Sequence, residues 1–173
     1  MDVNMMNIRC ETDADYLAIS EVNNLSFGQE NETQLIDEIR ISEFYIPELS
    51  LIYEINHIVV WHILFSYIEL VGEENLQVLG LAPMAVHPEF QRKGIGSALV
   101  KTGLEKADAR GESLVIVLGY PQFYSRFGFI PSVNCKIESP FPVPDDVFMV
   151  KTLQSYQEKY QGKVIYPPAF SKV

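Results

Sequence analysis

Residues 91–99 join a predicted strand to a predicted helix and have the sequence Gln91-Arg92-Lys93-Gly94-Ile95-Gly96-Ser97-Ala98-Leu99. Glycines at the start of a helix let backbone N–H groups approach a ligand closely, and the helix dipole favours negative charge at that end. Arg92 and Lys93 add positive charge beside it. The segment therefore predicts a phosphate site, although the same residues alone are equally compatible with a solvated loop and a glycine helix start.

Two other phosphate-binding motifs do not fit this segment. A Walker loop needs a lysine after its last glycine, but Gly96 is followed by Ser97. A dinucleotide-binding fingerprint needs a third glycine, and that position holds Leu99. A long loop also separates the preceding strand from Gly94, whereas the fingerprint begins directly after its strand. The segment therefore disfavours both hydrolysis of nucleoside triphosphates and binding of NAD.

Length, composition and charge limit the class of protein. The chain has 173 residues, of which 47% are hydrophobic, and this predicts a single domain over residues 1–173 with a sizeable core. Its formal net charge of -10 argues against a nonspecific nucleic-acid binder. The same charge slightly favours a cationic small molecule or peptide as partner.

Neither the cysteines nor the apolar segments indicate a metal site or a membrane span. Cys10 and Cys135 lie far apart without a CxxC or Cys/His spacing, so we expect reduced thiols and no metal. Residues 1–7 lack the basic start and apolar core of a secretory signal. The longest apolar run, Ile58 to Leu64, is too short to cross a bilayer. We therefore expect a cytoplasmic protein with no membrane partner.

The spacing of apolar residues predicts an α/β domain around a mixed sheet. Helices are predicted from Thr12 to about Leu25, from Asn31 to before Pro47, from Gly94 to Arg110 and from Pro121 to about Phe127. Strands are predicted at Ser50–Glu54 and Ile58–Ile68, joined by a turn at Asn56-His57, and then at Gln77–Val86, Ser113–Leu118 and Val147–Leu153. Because proline is tolerated in a strand only at an edge or a bulge, we expect pairing to fail near Ala82 and Pro83.

Three motifs, in order along the chain, resemble those of the GNAT acetyltransferase superfamily. Gln91, Gly94 and Gly96 match its Gln/Arg-x-x-Gly-x-Gly/Ala signature. The segment Met84-Ala85-Val86-His87-Pro88 occupies the position of its bulged fourth strand, and Phe123-Tyr124-Ser125-Arg126-Phe127-Gly128-Phe129 is similar to its FYxxxGF segment. A likeness to an uncharacterised bacterial subgroup of predicted N-acetyltransferases extends over nearly the whole chain.

The resemblance implies a fold and a cofactor. It implies a mixed twisted sheet that splays open between strands 4 and 5, with acetyl-CoA entering at the opening as co-substrate and no metal required. Its pyrophosphate would lie on Gln91, Arg92, Lys93, Gly94, Ile95, Gly96 and Ser97, and its pantetheine arm along Met84, Ala85 and Val86. Because Pro83 has no N–H, the amide of Met84 or of Ala85 is the expected donor to the thioester oxygen.

The resemblance also implies a catalytic tyrosine. Tyr124 matches the family tyrosine that lies near the CoA sulfur and protonates it; the alternative is an aromatic side chain that only packs against its neighbours. Val117 and Tyr120 stand where the family often has asparagine and alanine, which puts a family contact to the cofactor in doubt here.

Other roles stay open at the level of sequence. The strand Gln77–Val86 contains no carboxylate, so a general base is not assigned; Glu32, Glu69 and His62 are candidates that also fit structural roles. Trp61 either narrows the acceptor pocket or covers the sheet. Residues 140–144, rich in proline, form an extended loop that could be a wall of the site.

The function predicted from these features is transfer of an acetyl group from acetyl-CoA to a primary amine in a ternary complex. Two alternatives remain: a module that senses CoA thioesters without turnover, and transfer of acyl groups longer than acetyl. The acidic composition slightly favours polyamines, aminoglycosides or basic protein termini as acceptors. A homodimer is compatible with the resemblance.

Overall fold

A mixed β-sheet with helices on both faces organises the chain. The computed structural model describes residues 5–91 and 94–172. Their strands are β1 (Met6–Cys10), β2 (Ser50–Ile55), β3 (Ile58–Val71), β4 (Asn75–Val86), β5 (Leu114–Leu118), β6 (Ile130–Pro131), β7 (Ile137–Glu138), β8 (Phe148–Thr152) and β9 (Gly162–Ile165). Their helices are α1 (Tyr16–Phe27), α2 (Asn31–Arg40), α3 (Ile95–Ala109) and α4 (Pro121–Tyr124). The strand order is β1-β2-β3-β4-β5-β8-β6, with β9 on the end of β3 and β7 beside β9.

β3 is buried along most of its length because both faces of the sheet are covered. Trp61, Ile63 and Phe65 belong to the core on the α3 side. Leu64 belongs to the core formed with α1 and α2. Coverage on both sides explains the nearly continuous apolar sequence of this strand.

A bulge interrupts β4 at the predicted place. Ile63 pairs with Met84 and Phe65 pairs with Leu81, so two residues of β4, Ala82 and Pro83, lie opposite the single residue between them on β3. Proline has no N–H for the ladder, and an extra residue in one strand bends it locally. The prediction that pairing fails at Ala82 and Pro83 is confirmed.

β4 and β5 are parallel neighbours that pair over a short stretch. The paired residues are Leu79 with Val115 and Gly80 with Ile116. Beyond Gly80 the bulge turns β4 away, while β5 stays paired along its whole length with the antiparallel strand β8. The sheet is therefore splayed between strands 4 and 5, as the resemblance implied.

The predicted helices are found with small changes at their ends. The first begins as a 3-10 turn at Asp13–Asp15 before α1, which ends at Gly28. The short helix is α4 followed by a 3-10 turn at Ser125–Phe127, and Gly128 ends it. The predicted strand at residues 147–153 is β8.

The predicted order of elements was wrong at its start, because β1 precedes the first helix. The residues of β1 alternate between apolar Met6, Ile8 and Cys10 and polar Asn7 and Arg9, but an alternation over five residues is a weak signal for a strand. Long-range contacts hold β1 in place: it pairs with β2, and the Arg9 guanidinium binds Asp15 at 2.7 Å and Glu54 at 3.3 Å. The short strands β6, β7 and β9 were missed for the same reason, since their pairing partners are distant in sequence.

The contact between α3 and β3 gives a prediction about stability. A methyl group on Gly103 would overlap the ring of Phe65, which is fully buried. We expect Gly103→Ala to lower the free energy of unfolding by up to about 2 kcal/mol, since overpacking costs about 1–3 kcal/mol and alanine recovers about 1 kcal/mol of helix propensity. Urea denaturation would measure this change.

The exposed helical residue Lys101 provides the matched control, and Lys101→Ala should alter stability by less than about 0.5 kcal/mol. The double variant Gly103→Ala/Phe65→Leu should lose less stability than the sum of the losses in the two single variants, because the smaller leucine leaves room for the new methyl group. A more stable Gly103→Ala protein would mean that α3 does not pack on Phe65 as described.

Candidate active site

The opening between β4 and β5 forms a cleft of about 820 Å³. One wall is the bulged part of β4, the other is the end of β5 with α4, and α2 and the C-terminal segment close one side. We refer to it as the β4/β5 cleft. The residues that line it are Phe27, Glu32, Leu35, Trp61, Leu81, Ala82, Pro83, Met84, Val117, Leu118, Gly119, Tyr120, Gln122, Phe123, Tyr124 and Phe170.

The register of β4 decides which of its amides face the cleft. The amide of His87 donates to the carbonyl of Val60 at 2.8 Å. Hydrogen-bonded pairs alternate along an antiparallel ladder, so the N–H of Ala85 points to β3 and the N–H of Met84 points away from it. Of the two amides predicted as thioester donors, only that of Met84 thus has the required direction.

The other predicted residues of β4 have different surroundings. Ala85 is buried in the core with α1 and α2 and does not line the cleft. The amide of Val86 also points away from β3, and it donates to the hydroxyl of Ser26 on α1 at 3.4 Å. Met84 is therefore the residue of this segment that both lines the cleft and directs its amide into it.

The start of α3 presents backbone amides that lie outside the hydrogen-bond pattern of the helix. Gly94 precedes the helix with φ of 76°, a left-handed conformation that glycine adopts without strain. The amides of Ile95, Gly96 and Ser97 lie in the first turn and have no helical carbonyl to bind. Gln91 lies exposed in the turn before it, whereas the predicted residues Arg92 and Lys93 fall outside the described residues.

Trp61 packs directly on this helix start. A methyl group at Gly96 would overlap the six-membered ring of the indole, so a glycine is required there. Trp61 is 8% exposed and belongs to the core, and it also lines the cleft. The sequence-based alternatives of packing and of narrowing the pocket therefore both describe this side chain.

Arg126 is a residue at this end of the site that the sequence analysis did not single out. Its guanidinium donates to the hydroxyl of Ser97 at 2.8 Å, which places a positive charge against the first turn of α3. A basic residue inside the FYxxxGF-like segment of an acidic chain was the signal that could have identified it.

Tyr124 lies against the cleft with its ring held on several sides. It is 6% exposed and makes edge contacts with Phe123 and Phe129 at centroid distances of 4.9 and 5.5 Å. A side chain at Gly119 would overlap its ring, so Gly119 permits this position. Burial raises the pKa of the Tyr124 hydroxyl to about 12, so the hydroxyl is protonated at neutral pH.

The hydroxyl of Tyr124 has no hydrogen-bond partner among residues 5–91 and 94–172, which leaves it able to donate to a ligand.

The two residues that depart from the family pattern, Val117 and Tyr120, are also at the cleft. Val117 and Tyr120 both line it, the first buried and the second 78% exposed at the rim. No side-chain amide therefore replaces the family asparagine at position 117.

The three candidate bases are in different places. Glu32, in the first turn of α2, lines the cleft, and its two carboxylate oxygens accept from the Gln29 side chain at 3.0 and 3.2 Å. His62 is fully buried beside Ser50 at 3.1 Å, and Glu69 is exposed at the far end of β3; neither lines the cleft. The structure thus brings only Glu32 to the site.

The proline-rich segment supports the cleft indirectly. Phe141 stacks on Tyr166 at 5.6 Å, and Tyr166 packs against Phe170 at 5.0 Å. Phe170 lines the cleft, but residues 140–144 do not. This segment therefore backs a wall of the site and is not itself the wall.

Comparison with protein families identifies the chain. Residues 7–131 match the family model described as acetyltransferase (GNAT) domain. The chain belongs to the GNAT acetyltransferase family. Two relatives from Escherichia coli K12, named uncharacterized N-acetyltransferases YjhQ and YhbS, are 34% and 30% identical over 148 residues. These alignments cover 84% and 86% of this chain and 82% and 87% of the relatives.

Solved GNAT structures show the same architecture. E. coli YhbS in complex with CoA is similar with a TM-score of 0.89 at 28% identity, over 99% of this chain and 94% of that one. A GNAT acetyltransferase from Brucella melitensis in complex with acetyl-CoA has a TM-score of 0.78 at 28% identity, over 96% and 98% of the two chains. Within the described part of this GNAT protein, no helix is both long and apolar enough to span a membrane.

Burial of His62 gives this GNAT protein a predicted sensitivity to acid. Desolvation lowers the pKa of His62 from 6.5 to about 4, with nearby Glu11 acting in the opposite direction and Arg40 adding to the decrease. The unfolded chain therefore binds a proton first as the pH falls below 6.5, and stability decreases until the folded protein also takes it up near pH 4. We expect a loss of about 2 kcal/mol between pH 7 and pH 5, measured by urea denaturation at both values.

The variants His62→Gln and His57→Asn separate this source of acid sensitivity from others. The first removes the buried imidazole and should abolish most of the loss between pH 7 and pH 5. The second changes an exposed turn residue with φ of 66°, a conformation that asparagine tolerates, and should keep the loss. An unchanged loss in His62→Gln would assign the acid sensitivity to other groups.

Proposed function

We propose that this protein transfers the acetyl group of acetyl-CoA to a primary amine by direct attack within a ternary complex. The observation that carries the proposal is that one cleft contains both a β4 amide released from the ladder, that of Met84, and a buried, protonated tyrosine, Tyr124. The first can stabilise an oxyanion and the second can protonate a leaving thiolate. The complexes of YhbS with CoA and of the Brucella protein with acetyl-CoA support this choice of cofactor.

The cofactor's pyrophosphate would bind at the start of α3. The first-turn amides of Ile95, Gly96 and Ser97 favour an anion there, and Arg126 adds a positive charge beside Ser97. Gln91, Arg92, Lys93 and Gly94 complete the proposed loop. The pantetheine arm would follow the edge of β4 that faces away from β3, with Met84 as its main contact.

The reaction requires two protons to leave the acceptor nitrogen. An ammonium group loses the first and becomes a nucleophile, and its lone pair forms a C–N bond to the thioester carbon. The carbonyl oxygen then carries negative charge, which the Met84 amide stabilises. When the C–S bond breaks, the thiolate takes a proton from Tyr124, and the second nitrogen proton restores the tyrosine hydroxyl. The products are an N-acetylated amine, CoA and one released proton.

The first test is thermal unfolding with acetyl-CoA, CoA or NAD at equal concentration. A ligand at a hundred times its dissociation constant stabilises the folded state by about 2.7 kcal/mol, which such a measurement resolves. We expect acetyl-CoA and CoA to raise the melting temperature and NAD to leave it unchanged. Absence of a shift with both CoA species would overturn the proposed site at α3.

Replacement of Tyr124 by phenylalanine tests the proton donor. We expect Tyr124→Phe to lower kcat by about 100-fold or more, as is typical for loss of a general acid, while the affinity for acetyl-CoA is retained. The rate would be followed by detection of the released thiol. Tyr160→Phe is a matched control, because Tyr160 packs on Tyr156 and does not line the cleft.

The same variant distinguishes catalysis from cofactor sensing. A sensor would show no acetyl transfer in the native protein and the same cofactor affinity in both forms. An enzyme whose kcat is unchanged by Tyr124→Phe would show that the thiolate leaves without this hydroxyl, and the tyrosine would then have only its packing role.

A further inference from the structure

The β4/β5 cleft contains one charged side chain among the described residues that line it, and that side chain is Glu32. The other lining residues are apolar or aromatic, and their polar side-chain groups are the amide of Gln122, the hydroxyl groups of two tyrosines and the indole N–H of Trp61. A single carboxylate in such surroundings sets the sign of charge that the cleft favours, because the low-polarity walls weaken the screening of its field.

Glu32 has no positive partner in the described part of the chain. Its side chain accepts hydrogen bonds from Gln29, a neutral amide, and it forms no ion pair with any Lys, Arg or His among the described residues. Glu32 is 9% exposed. A carboxylate taken out of water without a counter-charge is unfavourable, so a cation brought to this position is stabilised by it.

The surroundings of Glu32 determine what else a ligand must present. Phe27 and Leu35 lie on the same side of the cleft, and Phe170 closes it. Phe170 is held by Tyr166, which in turn stacks on Phe141. Apart from the Gln29 amide that binds the carboxylate, the side chains on this side of the cleft are therefore apolar, and the aromatic stack behind Phe170 fixes one of them in place.

We propose that the acceptor is a primary amine on an apolar alkyl or aryl body, with its ammonium group bound by Glu32 and its body packed against Phe27, Leu35 and Phe170. This inference rests on the proposed acetyl transfer and names the class of acceptor for it. A second ammonium group of a polyamine would find no second carboxylate in the cleft. The carboxylate of a free amino acid would be repelled by Glu32.

Glu32 also supplies a destination for the first proton. The bound ammonium transfers one proton to the Glu32 carboxylate and becomes a neutral amine, whose nitrogen attacks the thioester carbon. The protonated carboxyl then releases this proton to solvent when the product leaves. The second nitrogen proton reaches the CoA sulfur through Tyr124, so the protons of the overall reaction balance.

The test compares two ligands of the same shape in the presence of saturating CoA. 2-Phenylethylamine is charged at pH 7, and 2-phenylethanol is its neutral counterpart. By calorimetry, we expect the amine to bind the native protein about 10- to 100-fold more tightly than the alcohol, the range typical of hydrogen bonds to charged groups. Equal affinity of the two ligands would overturn the assignment without any variant being made.

The variants Glu32→Gln and Glu30→Gln locate the effect. The first should remove the preference for the amine and leave the affinity for the alcohol unchanged. The second removes the same charge from an exposed residue just before α2 that does not line the cleft, and it should keep the preference. If both variants, or neither, lose the preference, the cation site is not Glu32.

Activity measurements separate proton transfer from binding alone. In Glu32→Gln the rate at saturating amine should fall at pH 7 and recover as the pH approaches the pKa of the free amine, about 10, because solvent then deprotonates the acceptor. A rate lowered equally at every pH would contradict proton transfer to Glu32.

A comparison of acceptors distinguishes failure of this inference from failure of the proposed function. Acetylation of spermidine in preference to 2-phenylethylamine, with acetyl-CoA bound, would overturn the acceptor class and leave acetyl transfer intact. Absence of binding by acetyl-CoA would instead overturn the proposed function, and this inference with it.

Discussion

Backbone pairing between β4 and β5 ends after Gly80 and Ile116, and the candidate site depends on that loss. The extra residue near Pro83 bends β4, while β8 keeps β5 straight on its other side. A regular sheet would satisfy every amide at this place and leave no room for a ligand. Here the opening creates the cleft and leaves the amide of Met84 without a strand partner, so one backbone feature provides both the space and a hydrogen-bond donor.

Close contacts between aromatic rings and glycines keep the opening in a fixed shape. Trp61 lies on Gly96, and Tyr124 lies over Gly119. In each case a bulky ring from one element occupies the volume that a side chain on its neighbour would fill. Because interiors are densely packed, such contacts set the distance between elements more sharply than apolar burial alone. Trp61 on β3 thereby positions the first turn of α3, and Gly119 at the end of β5 positions Tyr124 of α4.

The parts of the fold that local sequence determines were predicted well. The bulge follows from Pro83, the end of α1 from Gly28, and the start of α3 from its glycines. β1 was missed because the alternation of Met6, Ile8 and Cys10 covers only five residues, and the strand is held by β2 and by ion pairs of Arg9. Motifs singled out the segment before α3 and Tyr124 as candidates, and Tyr124 lies at the cleft; that Glu32 lines the cleft and His62 does not depends on which side of the sheet each occupies, which the sequence does not give.

The net charge of -10 and the local charges of the candidate site carry different information about the acceptor. A general acidic field attracts any cation and acts mainly on the rate of encounter. Among the described residues of the candidate site, two opposite charges lie apart: Arg126 contacts Ser97 in the first turn of α3, and Glu32 lies in the first turn of α2. A carboxylate beside the first-turn amides of α3 would weaken their attraction for an anion, and an arginine beside Glu32 would repel an ammonium group. Under the proposed function, keeping the two signs on different elements would let neighbouring parts of one site bind an anionic cofactor and a cationic acceptor together, which a ternary complex requires.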